Sequence, residues 1–127
     1  MSCRFYVEAA EDTDEPNLWW PANNVARLFK GYSESVAVLL GVPSGIGDLI
    51  EDECEVDLPV FEKFCAEAVA RYEKTNHALL RTLIVGFIGT ALALLDRAGG
   101  KMPASATPEQ QAAWIALRDQ QARLMNR

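Results

Sequence analysis

Six carboxylate side chains lie within ten residues of this chain, between positions 48 and 57. They are Asp48, Glu51, Asp52, Glu53, Glu55 and Asp57. No Lys or Arg stands among them, and Cys54 lies in their midst. Charge at this density repels itself unless water, a cation or a basic partner relieves it. The chemistry that the segment offers is therefore the attraction of positive charge, from a divalent metal ion or from a basic protein surface.

The spacing of these acids predicts a shared face if residues 47–54 form a short helix, in which Ile46, Leu49 and Ile50 dock inward. Four carboxylates then follow at intervals of three and four residues, namely Asp48, Glu51, Asp52 and Glu55. Such a face is typical of a solvated surface near a helix N-terminus, of a docking face for a basic protein, or of a divalent metal site.

The metal interpretation lacks a second pair of carboxylates on another helix. All-helical nucleotide pyrophosphatases hold Mg²⁺ between paired acidic helices, and the later helix of this chain offers only Glu62, Glu67 and Glu73, at unsuitable spacings. We therefore expect no metal ion and no other cofactor. The docking interpretation predicts that a basic partner contacts Asp48, Glu51, Asp52 and Glu55.

Trp19, Trp20 and Pro21 form a bulky aromatic junction just before the first predicted helix. Such a cluster most often covers the core as a lid. If one indole is exposed, it becomes a candidate hot spot for binding. On this argument Trp19 and Trp20 join the predicted partner-binding residues.

A second candidate site uses His77, the one histidine of the sequence, in the first turn of the central predicted helix. Gly86 and Gly89 lie on adjacent turns of that helix, where either a neighbouring backbone packs closely or a narrow pocket opens. Cys54 would be a poor nucleophile, because its acidic neighbours disfavour the thiolate. These residues support an alternative, a small enzyme or ligand-binding protein of secondary metabolism with a pocket between an N-terminal β-flap and the central helix.

Length and composition limit the number of domains and the class of ligand. With 127 residues, 14.0 kDa, 50% hydrophobic and 24% charged residues, the chain has the size and balance of a single domain over residues 1–127. Residues 1–62 hold thirteen acids and three bases, whereas residues 63–127 hold nine bases and five acids. The acidic half argues against a nucleic acid ligand, since phosphates would be repelled.

The cysteines and the apolar segments predict where in the cell the protein is located. Three scattered cysteines, with neither a C-x-x-C pair nor zinc-type spacing, indicate reduced thiols. No apolar stretch of signal-peptide length follows the N-terminus. The charge-free run Thr82–Leu95 has fourteen residues, fewer than the roughly 20 that a membrane span needs. We expect a cytoplasmic protein without membrane contact, as a monomer or a small homo-oligomer.

Periodicity predicts the elements that position these groups. Alternation around Phe5 and the short apolar run Leu18–Trp20 predict a small N-terminal β-flap of two strands. Apolar spacings of three and four predict helices that begin at Asn23 or Asn24, at Asp57, at Thr75 or Asn76, and at Thr107. The fold class is thus mainly α, with about four main helices around an apolar central helix.

Five short segments of the chain can be compared with known families. They are Leu18-Trp19 with Pro21, Leu28-Phe29, Gly45-Ile46-Gly47, Asp52-Glu53-Cys54-Glu55 with Asp57, and Arg97-Ala98-Gly99-Gly100. Together they resemble segments of a small uncharacterised family of actinobacterial proteins, a domain of unknown function. The resemblance covers most of residues 18–100, and the N-terminal acidic loop departs from it. It implies a bacterial cytosolic setting and an acidic run that belongs to the fold, and it names no activity.

These features favour a non-enzymatic, acidic helical binding module over an enzyme, because nothing in the acidic run fixes a reaction. Acidic inhibitors neutralise basic nuclease clefts through complementary charge. By that analogy we expect an immunity or inhibitor protein that engages a basic protein partner.

Overall fold

The computed structural model describes residues 1–8 and 17–126 of the chain. Its elements follow in the order β1 (Arg4–Tyr6), β2 (Asn17–Trp19), α1 (Asn23–Leu40), β3 (Glu53–Glu55), α2 (Leu58–Lys74), α3 (Ala78–Arg97) and α4 (Pro108–Ala122). Four helices and a small N-terminal sheet confirm the predicted fold class. Most of the predicted N-terminal acidic loop, residues 9–16, lies outside the described residues.

The β-flap has three strands rather than the two that the sequence predicts. The strand order is β2-β1-β3, with β1 antiparallel to β2 and parallel to β3. Phe5, at the centre of β1, stands opposite Trp19 on one side and Cys54 on the other. All three side chains are buried, as the alternation around Phe5 predicts for that residue. The third strand comes from the acidic segment, and α1 lies within its crossover connection.

The predicted short helix over residues 47–54 is wrong. Residues 45–57 form a hairpin, here called the acidic hairpin, in which Ile50 and Glu53 exchange two backbone hydrogen bonds of 2.9 Å each. Glu51 and Asp52 make its two-residue turn, with left-handed φ values of 51° and 62°. Like charges three and four residues apart oppose a helix, whereas a strand buries Cys54 and leaves its neighbouring glutamates in water.

Most of the predicted helix boundary signals hold. The Asp57 side chain caps α2 by accepting a hydrogen bond from the Val60 N–H. Thr107 and Gln110 form the predicted capping box of α4. α1 ends at Gly41, whose left-handed φ of 71° is the usual geometry of a glycine at this position.

Two helix starts differ from the prediction. α1 begins at Asn23, and its N-cap is Ala22, which makes no side-chain hydrogen bond. The N-cap of α3 is His77, in place of Thr75 or Asn76. An imidazole nitrogen can accept a backbone hydrogen bond as an asparagine oxygen does, and sequence preferences for caps underrate it for that role.

α3 is the central helix and packs against α1, α2, α4 and β2. From Phe87 to Leu95 its residues are buried except Thr90, which is half-buried. Phe87 joins an aromatic cluster with Phe29, Tyr32 and Phe64, at ring-centroid distances of 5.3 to 6.1 Å. Each large apolar side chain buried in this way contributes about 1.5–3 kcal/mol, so α3 is the main source of packing energy.

By length and composition α3 is also the one helix among the described residues that could cross a membrane. Half of its most apolar window is buried inside the chain. The N-terminal half of α3, in contrast, leaves Leu79 and Leu83 exposed. The apolar residues of α3 therefore pack in the core in its C-terminal half and are partly exposed at the surface in its N-terminal half.

Candidate partner-binding site

Backbone hydrogen bonds hold the acidic hairpin on both of its sides. On one side β3 pairs with β1, and the Val56 N–H donates to the Tyr6 carbonyl at 2.8 Å. On the other side the chain folds back, and the Gly47 N–H donates to the Glu55 carbonyl at 2.9 Å. Because both sides of β3 are paired, the hairpin offers side chains rather than free backbone groups to a partner.

Two of the six carboxylates are paired with bases of the chain itself. Arg4 Nη2 donates to Glu53 Oε1 at 2.7 Å, and Lys30 Nζ lies 3.8 Å from Asp48 Oδ1. Within residues 1–8 and 17–126, no Lys or Arg nitrogen comes within 4.0 Å of the remaining acids of the turn and strand, Glu51, Asp52 and Glu55. Of the four carboxylates of the predicted binding face, Asp48 thus lies beside a base, whereas Glu51, Asp52 and Glu55 do not form an ion pair with a described residue.

The four carboxylates that the sequence places on one helix face do not share a face. Glu51 and Asp52 lie at the tip of the hairpin and border a small cleft against the start of α1, together with Asn23 and Arg27. Glu55 lies on the exposed side of β3, opposite the buried face of the sheet. The acids therefore surround the hairpin instead of forming a single stripe.

An open groove of about 720 Å³ lies beside the acidic hairpin, between the end of β1 and the first turn of α2. Its lining includes the acidic residues Glu8, Glu55 and Asp57, and no Lys or Arg of the described chain. We call it the acidic groove. A lysine or arginine side chain entering it would meet acceptors of opposite charge and no competing base.

These carboxylates are not arranged as a metal site. No group of three or more His, Cys, Asp or Glu side chains within the described ranges could hold a metal ion. The arrangement offers long-range attraction and separate charge-assisted hydrogen bonds to a positively charged surface.

Cys54 is fully buried and points away from the acids of its own strand. Burial raises the pKa of its thiol to about 12, and the charges of Cys3 and Asp48 add to the effect, while Lys30 opposes it. Its Sγ donates to the Gly47 carbonyl at 3.3 Å. Cys54 thus belongs to the core beneath the hairpin, in a protonated and unreactive form at neutral pH.

The two tryptophans of the predicted binding set have different environments. Trp19 is buried and packs on Phe5 and Phe29, with ring centroids 5.1 and 5.3 Å apart. Trp20 leaves 41% of its surface exposed, and its backbone exchanges hydrogen bonds with Asn126 beyond α4. A partner could therefore contact the indole of Trp20, while Trp19 acts as the predicted lid on the core.

The residues of the alternative pocket are only partly brought together. His77 is exposed and caps α3, with its Nδ1 accepting from the Leu80 N–H at 3.3 Å. Gly86 lines an open groove of about 430 Å³, whereas a Cβ on Gly89 would lie 2.7 Å from Leu117 of α4. Gly89 is thus a site of close packing and Gly86 borders a cavity. Neither His77 nor Cys54 lines that groove.

The strand within the acidic run is the feature that sequence reasoning missed. Glu53, Cys54, Glu55 and Val56 alternate polar and apolar with a period of two, which is the signal of a half-buried strand. The charge density of the same residues favours a helix face, and the two signals conflict. Arg4, which pairs with Glu53, and Glu8, which lines the acidic groove, are not among the predicted site residues.

A model of a family of unknown function, DUF6086, matches residues 1–127. The chain belongs to this family. The match extends beyond the resemblance over residues 18–100 and includes the N-terminal acidic loop. No curated protein and no solved structure is significantly similar to the chain.

Two of the segments that resemble the family have clear structural roles in this DUF6086 chain. A Cβ on Gly45 would lie 2.6 Å from the Phe61 nitrogen, and one on Gly47 would lie 2.8 Å from the Glu55 oxygen, so the hairpin needs both glycines. Arg97 donates to the carbonyls of three residues, Leu18, Ala122 and Met125, at 2.8 to 3.1 Å. It joins β2 to the end of α4.

Proposed function

We propose that this chain is a non-enzymatic binding module that engages a basic protein partner through the acidic hairpin and the acidic groove, as an immunity or inhibitor protein does. The observation that supports the proposal is the exposure of Glu51, Asp52 and Glu55, none of which has a Lys or Arg nitrogen of the described residues within 4.0 Å. Charge of one sign on a well-held element attracts a partner of opposite charge and disfavours wrong partners.

The form of the site supports a protein partner over a free ion. The acidic groove is open to solvent, and acids lie both at the tip of the hairpin and beside the groove. Such spacing suits several basic side chains carried on one surface. Trp20 adds an exposed aromatic side chain of the kind that anchors protein interfaces.

The setting that we propose is the cytosol of an actinobacterium. The support is the resemblance given above together with the cysteines, because Cys3, Cys54 and Cys65 are free and buried. Free buried thiols agree with a reducing compartment, in which disulfides are rare.

A pull-down with matched charge variants tests the proposal. One variant reverses four acids of the hairpin (Asp48→Lys, Glu51→Lys, Asp52→Lys, Glu55→Lys), and its control reverses four exposed acids elsewhere (Glu67→Lys, Asp96→Lys, Glu109→Lys, Asp119→Lys). Both change the net charge equally. From a lysate of the source organism, we expect the control to retain the partners of the natural chain and the hairpin variant to lose them. Retention of every partner by a folded hairpin variant excludes the proposal.

The alternative of an enzyme or ligand carrier remains a hypothesis about the groove beside Gly86. Its lining is mostly apolar, with Thr82, Thr90 and Gln121 among its few polar side chains. A ligand there would accordingly be small and largely apolar. Chemical-shift changes concentrated at the parts of α1, α3 and α4 that line this groove, on addition of such a compound, would favour this alternative.

A further inference from the structure

The surface formed by α1, the N-terminal half of α3 and the end of α4 is apolar and exposed. Two grooves of about 430 Å³ each run along it and share Leu28, Tyr32 and Leu83 in their walls. Six large side chains of this surface leave 37 to 77% of their area in water, namely Val25, Leu28, Leu39, Leu79, Leu83 and Leu124. We call this surface the apolar face.

The area of the apolar face matches what a stable dimer needs. Its six side chains together present roughly 500–600 Å² of apolar surface, the upper end of what a typical monomer shows in one patch. A standard interface buries about 800 Å² on each partner, of which about 56–65% is apolar, or roughly 450–520 Å². The face is therefore large enough to form the apolar part of one complete interface.

The charges of the apolar face favour a neutral occupant over a charged one. Among the described residues that line the two grooves, Arg27 is the one charged side chain. A strongly basic or acidic partner would find no complementary set of charges here. A second copy of the same face brings no charge of its own to the centre of the interface.

The rim of the face is complementary to itself. Arg27 and Glu34 lie two turns apart on α1, on the same side of the helix and at nearly equal distances from Gly31. When two α1 helices pack antiparallel about a two-fold axis near Gly31, each Arg27 comes next to the other copy's Glu34. The Glu34 side chain is 62% exposed even though it already lies 3.3 Å from Lys30.

Gly31 also permits the close approach that this packing requires. A Cβ placed on it would have no atom within 4 Å, so bare backbone faces outward at the middle of α1. An exposed glycine inside a helix costs about 1 kcal/mol relative to alanine. Packing against a second helix at this point would give that glycine a structural role.

We propose that a second copy of this chain covers the apolar face, in an isologous dimer whose α1 helices pack antiparallel with Gly31 near the two-fold axis. Leu28 of α1 and Leu83 of α3 lie at the centre of the buried surface, and the Arg27 and Glu34 pairs lie at its rim. The acidic hairpin lies outside the centre of the interface, because Lys30, which contacts it, is on the side of α1 nearly opposite Leu28. Arg27 borders both surfaces, since it also lines the cleft at the tip of the hairpin. The dimer would present two acidic hairpins.

Measurements of molar mass test the dimer. By sedimentation equilibrium over micromolar concentrations, we expect the full chain to have the mass of two 14.0 kDa copies. Leu28→Asp should raise the dimer dissociation constant at least about 30-fold, the effect of altering a central interface residue. Leu83→Gln is a second, milder variant. The control is Ile50→Asp, since Ile50 on the hairpin is 65% exposed, close to the 69% of Leu28.

A charge exchange tests the geometry of the rim independently. Arg27→Glu and Glu34→Arg should each weaken the dimer, because each places like charges opposite one another across the two-fold axis. The double variant should recover most of the lost affinity, since the pair is restored with reversed polarity. Circular dichroism and thermal unfolding establish that every variant is folded.

Three results overturn the proposal. The first is a chain that stays monomeric at all concentrations. This result includes a monomer whose apolar face binds neutral phosphatidylcholine vesicles or a small apolar compound instead of a second copy. The second is a folded Leu28→Asp variant that dimerises as tightly as the natural chain. The third is a dimer that Ile50→Asp dissociates as strongly as Leu28→Asp does.

Discussion

At the scale of single residues, the turn of the acidic hairpin combines charge with backbone strain. Glu51 and Asp52 are the two non-glycine residues with positive φ among those that the structure describes. Turns of this kind favour Asn and Gly, and a left-handed conformation costs another residue about 1 kcal/mol or more. The chain thus places two acids at the tip at the expense of stability, which agrees with a role for them outside folding.

Relief of this strain should stabilise the fold. We expect Glu51→Asn combined with Asp52→Gly to raise the free energy of unfolding by about 1 kcal/mol, because Asn-Gly is the favoured pair for such a turn. Denaturant titration measures it. Glu55→Gly is the control, because it also removes a carboxylate, but at a position in β3 whose φ is not left-handed. It should lower the free energy of unfolding by about 0.5–1 kcal/mol, the usual effect of a glycine inside a strand. Equal effects of the two changes would contradict a strained turn.

The buried thiol of Cys54 makes a second prediction at this scale. Its pKa of about 12 means that the folded chain keeps the thiol protonated at neutral pH, so iodoacetamide should leave Cys54 unmodified. In guanidinium chloride all three cysteines should react. The stability that the protonated thiol contributes is complete below about pH 9 and is lost as the pH rises toward 12. Mass spectrometry showing rapid alkylation of Cys54 in the folded chain would contradict its burial.

At the scale of elements, local chemistry predicts the helices well and the acidic strand poorly. The capping box at Thr107 and the helix-ending Gly41 are signals contained in a few neighbouring residues, and the structure confirms both. β3 depends on its pairing with β1, a partner more than forty residues away in sequence. The period-two alternation of residues 53–56 indicates locally that Glu55 points outward from a strand. What the local pattern does not give is the strand with which β3 pairs.

The cap of α3 gives a prediction that separates a structural from a catalytic histidine. Replacement of His77 by Ala removes the acceptor of the Leu80 N–H and should lower the free energy of unfolding by about 1 kcal/mol. His77→Asn should recover most of that loss, since asparagine is a good N-cap. Thermal unfolding measures both variants. If His77→Asn is as unstable as His77→Ala, the imidazole has some role other than capping.

The turn that begins the acidic hairpin depends on Gly45. Its φ of 79° is left-handed, and a Cβ would lie 2.6 and 2.8 Å from backbone atoms of Phe61 and Asp57. Backbone atoms of a hairpin and a helix cannot move aside as a flexible side chain can. We expect Gly45→Ala to lower the free energy of unfolding by more than about 2 kcal/mol, measured by denaturant titration. A loss below about 0.5 kcal/mol would mean that this junction is loosely packed.

At the scale of the whole molecule, two surfaces of different chemistry lie on different sides of α1. The acidic hairpin contacts the side that bears Lys30, and the apolar face lies on the side that bears Leu28. Arg97 joins β2 to the end of α4 through backbone carbonyls and so holds the N-terminal sheet to the helices. We propose that the first surface engages a basic partner and the second engages another copy of the chain, with Arg27 at the border between them.

The most direct test of the central claim is a nitrogen-proton NMR titration of the full chain with a peptide rich in lysine and arginine. The account predicts chemical-shift changes concentrated at Glu8, Glu51, Asp52 and Glu55, which weaken as salt is added because exposed charges are screened. Glu67 and Glu109 are exposed acids on α2 and α4 and serve as internal controls. Changes at these two that equal those of the acidic hairpin would contradict the account.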